Sequence, residues 1–103
     1  MVKRRRVVLL SERFRHDPPS TLLVVPLSTT PPTDVEPYHY QLTGIYDFLA
    51  LGSWVKGNMV TNVALARLYP IFKHGRPLKA RLTDADLQEV RRAVARALGL
   101  KAP

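Results

Sequence analysis

Two basic segments of the chain have the composition of a site that could hold a phosphate group. The start of the sequence reads VKRRRVVLL, and its residues 3–6 are all Lys or Arg. A second segment, SWVKGNM, sets Lys56, Gly57 and Asn58 side by side in an otherwise apolar stretch. Because a glycine inside a strand marks a bulge or a close backbone approach, this segment predicts either a kinked strand edge or a backbone brought close to a polyanion.

Positive charge extends over the whole chain. Its 103 residues include 16 Lys and Arg against 8 Asp and Glu, a formal net charge of +8. A field of that sign attracts RNA, DNA or acidic proteins, and the length suits a single domain over residues 1–103. The chain has no Cys, and its three His share no metal-ligand spacing. We therefore expect neither a metal site nor a cofactor.

The sequence also predicts where the protein resides. Too few apolar residues follow the basic start for a signal peptide, and no run approaches the roughly 20 residues of a membrane-spanning helix. We expect a cytoplasmic protein without a membrane partner.

Short strands must position the basic residues. VVLL at 7–10 and TLLVVPL at 21–27 are typical of strands. The second is apolar throughout, which predicts burial on both faces, with Pro26 at an edge or a bulge. Proline pairs predict loops at 16–20 and 28–34.

Three further segments follow before the end of the chain. Alternation in 37–42 places Tyr38, Tyr40 and Leu42 on one side of a strand, with His39 and Gln41 on the other. Residues 53–68 predict two short strands with Gly57 between them. Residues 71–81 predict only a turn at HGRP.

The last segment predicts an amphipathic helix. Thr83 is expected to cap its start, with the Asp86 side chain reciprocating as in a capping box, and Gly99 ends it. The 3.6-residue repeat predicts that one face packs on the sheet, namely Leu87, Val90, Val94 and Leu98. Strands followed by one helix predict a small β-barrel or curled sheet with a helix laid against it.

These segments together resemble one family. VKRRRVVLLSERF, LLVVPLSTTPP, EPYHYQL, SWVKGNMVTNVALARL and LTDADLQEVRRAVARALGL occur in the order and spacing of the PemK/MazF-like toxins of bacterial toxin–antitoxin systems. The resemblance implies an α+β, mainly β fold, a small SH3-like barrel with a C-terminal helix. It also implies a homodimer, metal-independent cleavage of single-stranded RNA, and inhibition by a cognate antitoxin.

The resemblance also implies site residues. The family's active-site arginine falls on Arg5, its threonine on Ser28 with Thr29 adjacent, and its basic and acidic pair on Lys56 and Asn58. RNA-binding residues are expected beside these positions and on the alternating strand, namely Lys3, Arg4, Arg6, His39 and Tyr40. A guanidinium such as that of Arg5 suits a phosphate, because its planar fork matches the phosphate oxygens.

Three departures from the family pattern leave alternatives open. The usual first strand and loop are absent, Arg6 stands where relatives commonly have proline, and Asn58 stands where they have aspartate. An asparagine amide does not titrate and cannot act as a general base, whereas histidine is suited to that role at neutral pH, which makes His39 a candidate.

One alternative is an inactive module that binds RNA or antitoxin. Another is a gyrase-targeting toxin of the same fold, against which the LGLKAP ending speaks.

Overall fold

A β-rich layer followed by one helix forms the protein, as seen in a computed structural model that describes residues 5–11 and 21–100. The predicted loop at 16–20 lies outside the described residues, as do Lys3 and Arg4. The elements, in chain order, are strands β1 (Val7–Leu9), β2 (Thr21–Ser28), β3 (His39–Gln41), β4 (Trp54–Lys56), β5 (Thr61–Ala64), β6 (Ile71–Lys73) and β7 (Arg76–Leu78), then helix α1 (Asp84–Ala97).

Strand β2 is the centre of a five-stranded antiparallel sheet. It pairs with β1 along one edge, and along its other edge with β5 through Thr21–Val24 and then with β4 through Leu27 and Ser28. Strand β3 completes the order β1-β2-β4-β3. Val24 and Val25 are both fully buried, which confirms the prediction that this strand is covered on both faces.

Of the two alternatives predicted for Pro26, an edge or a bulge, the edge is wrong, and the residue lies at an interruption of the ladder between β5 and β4. Pro26 pairs with Val7, and the strand continues past it to residues that pair with β4. Proline lacks the N–H that a ladder bond requires. Pro26 is tolerated because it lies where the partner of β2 changes from β5 to β4, opposite a 3₁₀ turn at Gly57–Met59.

Gly57 is where the helix approaches the sheet most closely. A Cβ atom built on Gly57 would lie 2.6 Å from the carbonyl carbon and oxygen of Ala93 and 2.9 Å from the carbonyl oxygen of Tyr38. The Gly57 amide also donates a hydrogen bond to that Tyr38 oxygen, at 2.7 Å. The predicted close approach is confirmed, but the approaching backbone belongs to α1, so the polyanion interpretation of this glycine is wrong.

The helix begins as predicted and packs on the sheet through most of the predicted face, since Val90 is buried and Leu87 packs against the core. Thr83 Oγ1 accepts a hydrogen bond from the Asp86 amide, which confirms the cap. Val90 and Ala93 are fully buried, whereas Leu98 is 68% exposed. The predicted face is therefore wrong at its C-terminal end, because α1 ends at Ala97 and Leu98 lies beyond it.

A hairpin occupies the segment for which only a turn was predicted. Strands β6 and β7 pair across His74 and Gly75, and both of these residues have positive φ, 53° and 74°. This is the backbone of a two-residue type I′ turn, which matches the twist of the flanking strands. Among the described residues, no helix has the length and apolar character needed to cross a bilayer.

Replacing Gly57 by alanine is expected to destabilise the fold. The added methyl group would meet backbone atoms of α1 and β3 that cannot rotate away, and overpacking of this kind costs about 1–3 kcal/mol. Gly99→Ala is the matched control, because Gly99 has a positive φ of 75° but open space around its Cα. Urea unfolding should show a larger loss for Gly57→Ala, and an equal or smaller loss would contradict this packing.

Candidate nucleic-acid interface

The strand register brings four predicted site residues onto one face of the sheet. Leu27 N donates to the Arg6 carbonyl oxygen at 2.9 Å, so the β1–β2 ladder extends one residue before β1. The next position, Arg5, then lies opposite Ser28, which pairs with Trp54. In the neighbouring row Lys56 pairs with His39.

This surface, which we call the outer face, points away from the hydrophobic core. Side chains alternate along each strand, and the intervening positions, Val25, Leu27, Val55 and Tyr40, belong to the core cluster. Arg5 and Gln41 are exposed, and the other outer-face residues are half-buried. The members of the outer face are Arg5, Ser28, Trp54, Lys56, His39 and Gln41.

Arg5 and Lys56 lie close enough to act on one phosphate group. Their Cα atoms are separated by two strand spacings of about 4.8 Å across the sheet and by one two-residue step of about 6.7 Å along it. These perpendicular components give a diagonal of about 12 Å. Two long cationic side chains with a phosphate between them can span that gap. Within residues 5–11 and 21–100, neither side chain makes an ion pair.

The hydroxyl and imidazole groups of this face already have local partners. Ser28 Oγ accepts a hydrogen bond from the Thr30 amide at 3.1 Å, which closes a turn at the end of β2. His39 Nδ1 accepts from the Glu36 amide at 2.9 Å. An N–H that donates to Nδ1 requires this nitrogen to be unprotonated, so the proton of the neutral ring lies on Nε2.

The remaining predicted residues lie at the margins of the outer face or away from it. Thr29 is exposed directly after β2, and Asn58 is exposed in the 3₁₀ turn after β4. Arg6 belongs to the opposite face and borders an open depression beside the β6–β7 hairpin. Tyr40 packs on the core, and its hydroxyl donates to Asp86 at 2.5 Å. The structure thus gives Tyr40 an interior role, and its ring does not face the surface on which an RNA base could stack.

Gln41 and Trp54 were not among the predicted site residues. Trp54 is half-buried on the outer face between Ser28 and Gln41. The alternation of residues 37–42 already placed His39 and Gln41 together. That periodicity was the signal that could have identified Gln41.

Beneath the outer face, the carboxylate of Asp86 is completely buried. Its predicted capping-box role is wrong, because the carboxylate accepts no bond from the Thr83 amide, which donates instead to Tyr46 Oη. Oδ1 accepts from Tyr40 Oη and from the amide and hydroxyl of Thr43, and Oδ2 accepts from the Gly44 amide and Tyr46 Oη. Five donors thus join helix α1 to β3 and to the segment after it.

These hydrogen bonds set the charge state of Asp86 and of Tyr40. Burial by itself raises the pKa of Asp86, but the hydrogen bonds from Tyr40 and Tyr46 and from two backbone amides outweigh it. They hold the pKa of this carboxyl well below its usual range. Burial and the bond to Asp86 raise the pKa of Tyr40 to about 12. Asp86 is therefore a carboxylate beside a neutral Tyr40 phenol at neutral pH, and their hydrogen bond holds Tyr40 of β3 toward the helix.

No group of three or more His, Asp or Glu side chains within the described ranges is arranged to hold a metal ion.

A five-stranded antiparallel sheet with one C-terminal helix defines the class, a small and mainly β domain with a helix packed on its sheet. The chain belongs to the PemK-like, MazF-like toxins of type II toxin–antitoxin systems, because the model of that family matches residues 1–98. The family resemblance and the predicted fold, mostly β with a C-terminal helix, are thereby confirmed. No match to the chain is found among the curated proteins.

Two solved structures are similar over nearly the whole chain. One is an endoribonuclease from a mycobacterial species in complex with its cognate antitoxin, with a TM-score of 0.71 and 23% identity. The other is an endoribonuclease from a mycobacterial species, with a TM-score of 0.69 and 25% identity. Each comparison covers 96% of this chain and 84% of the other.

Asp86→Asn is expected to lower the free energy of unfolding by about 3 kcal/mol at neutral pH, because an amide cannot accept from all five donors and charged hydrogen bonds are the strong ones. The folded pKa of Asp86 lies below that of the unfolded chain, about 3.9. Its contribution is therefore complete above about pH 5 and declines as the pH falls through the unfolded value.

Urea unfolding between neutral and acid pH checks both expectations. The difference between wild type and Asp86→Asn should shrink below about pH 4. Asp84→Asn, an exposed acid in the same helical turn, is the matched control. A difference that stays constant into strong acid would contradict the buried carboxylate.

Proposed function

We propose that this protein is an endoribonuclease toxin that cuts single-stranded RNA at its outer face. The observation that supports this most strongly is the register, which assembles Arg5, Ser28, Lys56 and His39 from four separate strands or strand ends on one surface. Membership of the toxin family and the fold shared with two mycobacterial endoribonucleases agree with it.

The proposed reaction uses the ribose 2′-hydroxyl as the nucleophile. Its oxygen gives up its proton to a water molecule and bonds to the adjacent phosphorus, while the bond from phosphorus to the 5′ oxygen breaks. The leaving 5′ oxygen takes a proton from water, and a 2′,3′-cyclic phosphate remains. Negative charge grows on the phosphoryl oxygens during this exchange. Arg5 can hold two of these oxygens through its planar guanidinium, and Lys56 adds a second positive charge. Stabilising charge in this way is commonly the largest contribution to catalysis.

His39 acts in this proposal as a hydrogen-bond donor. Because Nδ1 is occupied by the Glu36 amide and Nε2 bears the proton, the neutral ring has no free lone pair with which to take a proton from a 2′-hydroxyl. Nε2–H can donate to a phosphate or base oxygen. In this proposal His39, a candidate general base by sequence, instead donates a hydrogen bond from Nε2, and Asn58 can likewise only orient groups.

Two partners follow from this proposal. A solved neighbour is an endoribonuclease in complex with its cognate antitoxin, so we infer that an antitoxin inhibits this chain by covering the outer face. We also infer a homodimer, since the sheet has open edges and several large apolar side chains are exposed, among them Leu9 and Leu23 at 45% and 47%. Sizing at micromolar concentration tests the dimer.

A second function is favoured by one set of contacts. Ser28 Oγ accepts from the Thr30 amide and donates to the Thr30 carbonyl oxygen, the His39 Nδ1 lone pair is engaged by the Glu36 amide, and Asn58 does not titrate. These facts favour a module that binds RNA or antitoxin without cutting. Salt-sensitive RNA binding without cleavage would select this function.

Arg5→Ala is expected to lower the rate of RNA cleavage about 100-fold or more, because it removes a charge that stabilises the phosphoryl oxygens. Cleavage of an unstructured RNA of mixed sequence in the presence of chelator measures the rate. Arg91→Ala, an exposed helical arginine, is the control and should cut as wild type does.

Thermal unfolding must show that Arg5→Ala remains folded. Equal rates for Arg5→Ala and wild type would rule out the outer face as the active site. Intact RNA at every ratio of folded wild-type protein to RNA would rule out the endoribonuclease itself.

His39→Asn is expected to distinguish the acceptor role of Nδ1 from the donor role of Nε2. The asparagine side-chain oxygen can accept from the Glu36 amide as Nδ1 does, but nothing replaces the donor at Nε2. A lost hydrogen bond of about 1 kcal/mol should weaken RNA binding or cleavage about fivefold while stability changes little. His39→Gln, which can place a donor near Nε2, should recover most of the loss. If neither variant differs from wild type in RNA binding or cleavage, His39 has no role in this site.

A further inference from the structure

The β6–β7 hairpin is a second cationic surface that the proposed active site does not use. Between residues 68 and 83 the chain has no Asp or Glu. Lys73 is neutralised by Asp47, 2.6 Å from its Nζ. The remaining exposed cations of this segment are Arg76, Lys79 and Arg81.

An aromatic ring lies beside these charges. Phe72 is 60% exposed, and it pairs across the hairpin with Pro77, which is also exposed. The next pair, Ile71 and Leu78, is half-buried and borders the depression that lies against the body of the protein. Alternation therefore places Phe72 and Pro77 on one side of the hairpin and Ile71, Leu78, Lys73 and Arg76 on the other, with the exposed Arg76 at the tip beside the turn.

The hairpin lies next to the β1 edge of the sheet, on the side opposite the outer face. Arg6 borders the same depression as Ile71, Phe72 and Lys73, and its neighbour Arg5 lies in the outer face. Because side chains alternate along an extended chain, these two successive arginines reach opposite surfaces. A polyanion held by Arg5 reaches the hairpin by passing around the β1 edge of the sheet, where the next residue, Arg6, borders the depression.

We propose that the hairpin binds the single-stranded RNA that flanks the cleaved phosphate, with one base stacked on Phe72 and phosphates held by Arg76, Lys79 and Arg81. This inference rests on the proposed function, since it extends the path of the same RNA. A nucleotide has one flat base and one negative phosphate. The base can stack on the exposed ring of Phe72, and the phosphate can bind nearby cations that form no ion pair within the described residues. Such combinations bind single strands with little dependence on sequence.

The test compares two RNA probes that resist cleavage because every ribose is 2′-O-methylated. One has about 4 nucleotides and can occupy only the outer face, and the other has about 14 and can reach the hairpin. Fluorescence anisotropy measures the affinity of the full chain for each. Because stacking of a base is worth about 1–3 kcal/mol, Phe72→Ala should weaken binding of the long probe about tenfold and leave the short probe unchanged.

Charge and ring are tested separately. Arg76→Ala should reduce the salt dependence of long-probe binding, the slope of log K against log salt, by about 0.7. Phe72→Tyr keeps a ring and should bind as wild type. Leu51→Ala, an 80% exposed side chain outside the hairpin, and Arg91→Ala are the controls and should bind both probes as wild type.

Several results would overturn the hairpin site. These are a Phe72→Ala variant that binds the long probe as wild type, a Phe72→Tyr variant that loses as much as Phe72→Ala, and an Arg76→Ala variant with an unchanged salt slope. Unchanged RNA binding with weakened binding of polyglutamate would assign the hairpin to acidic proteins and also overturn it. If the probes behave as expected but unmodified RNA stays intact, the hairpin site stands and the endoribonuclease does not.

Discussion

One buried carboxylate determines how the helix and the sheet of this toxin meet. A charged group removed from water must find hydrogen-bond donors, and Asp86 finds five of them in β3 and in the segment after it. The helix can therefore dock in only one position along the sheet. At that position the backbone of Ala93 presses on Gly57, where a larger residue would not fit. Tyr40 is held inward by the same contacts, so its neighbours His39 and Gln41 are turned outward.

The central strand β2 then assembles the outer face. It pairs with β1 on one side and with β5 and β4 in succession on the other. The change of partner falls at Pro26, the one residue of the strand that lacks an N–H to donate. Through this arrangement Arg5, Ser28 and Lys56 occupy adjacent rows although they are far apart in the chain. A rigid sheet can hold such groups in place more accurately than a loop can.

Charge is distributed unevenly between the interior and the surface. Asp86 and its phenol partners are satisfied within the protein, whereas Arg5, Lys56 and the free cations of the hairpin have no acidic partner in the part of the chain that the structure describes. Such uncompensated charge raises the local concentration of polyanions. The successive residues Arg5 and Arg6 connect the two cationic surfaces, because alternation sends one to each.

Local patterns in the sequence were enough to predict the short strands, the two-sided burial of β2, the Thr83 cap and the positive field, because periodicity and caps depend on neighbours within a few residues. The hydrogen-bond partners of Asp86 lie 40 to 46 positions away, so no local pattern contains them, and its local capping role was the wrong expectation. The exposure of Leu98 and the contact that requires Gly57 likewise depend on where α1 docks. The sequence by itself thus determined the elements and the charge. Only the tertiary structure decided which cations share a face, because that follows from how distant strands pair and from where one buried carboxylate finds its donors.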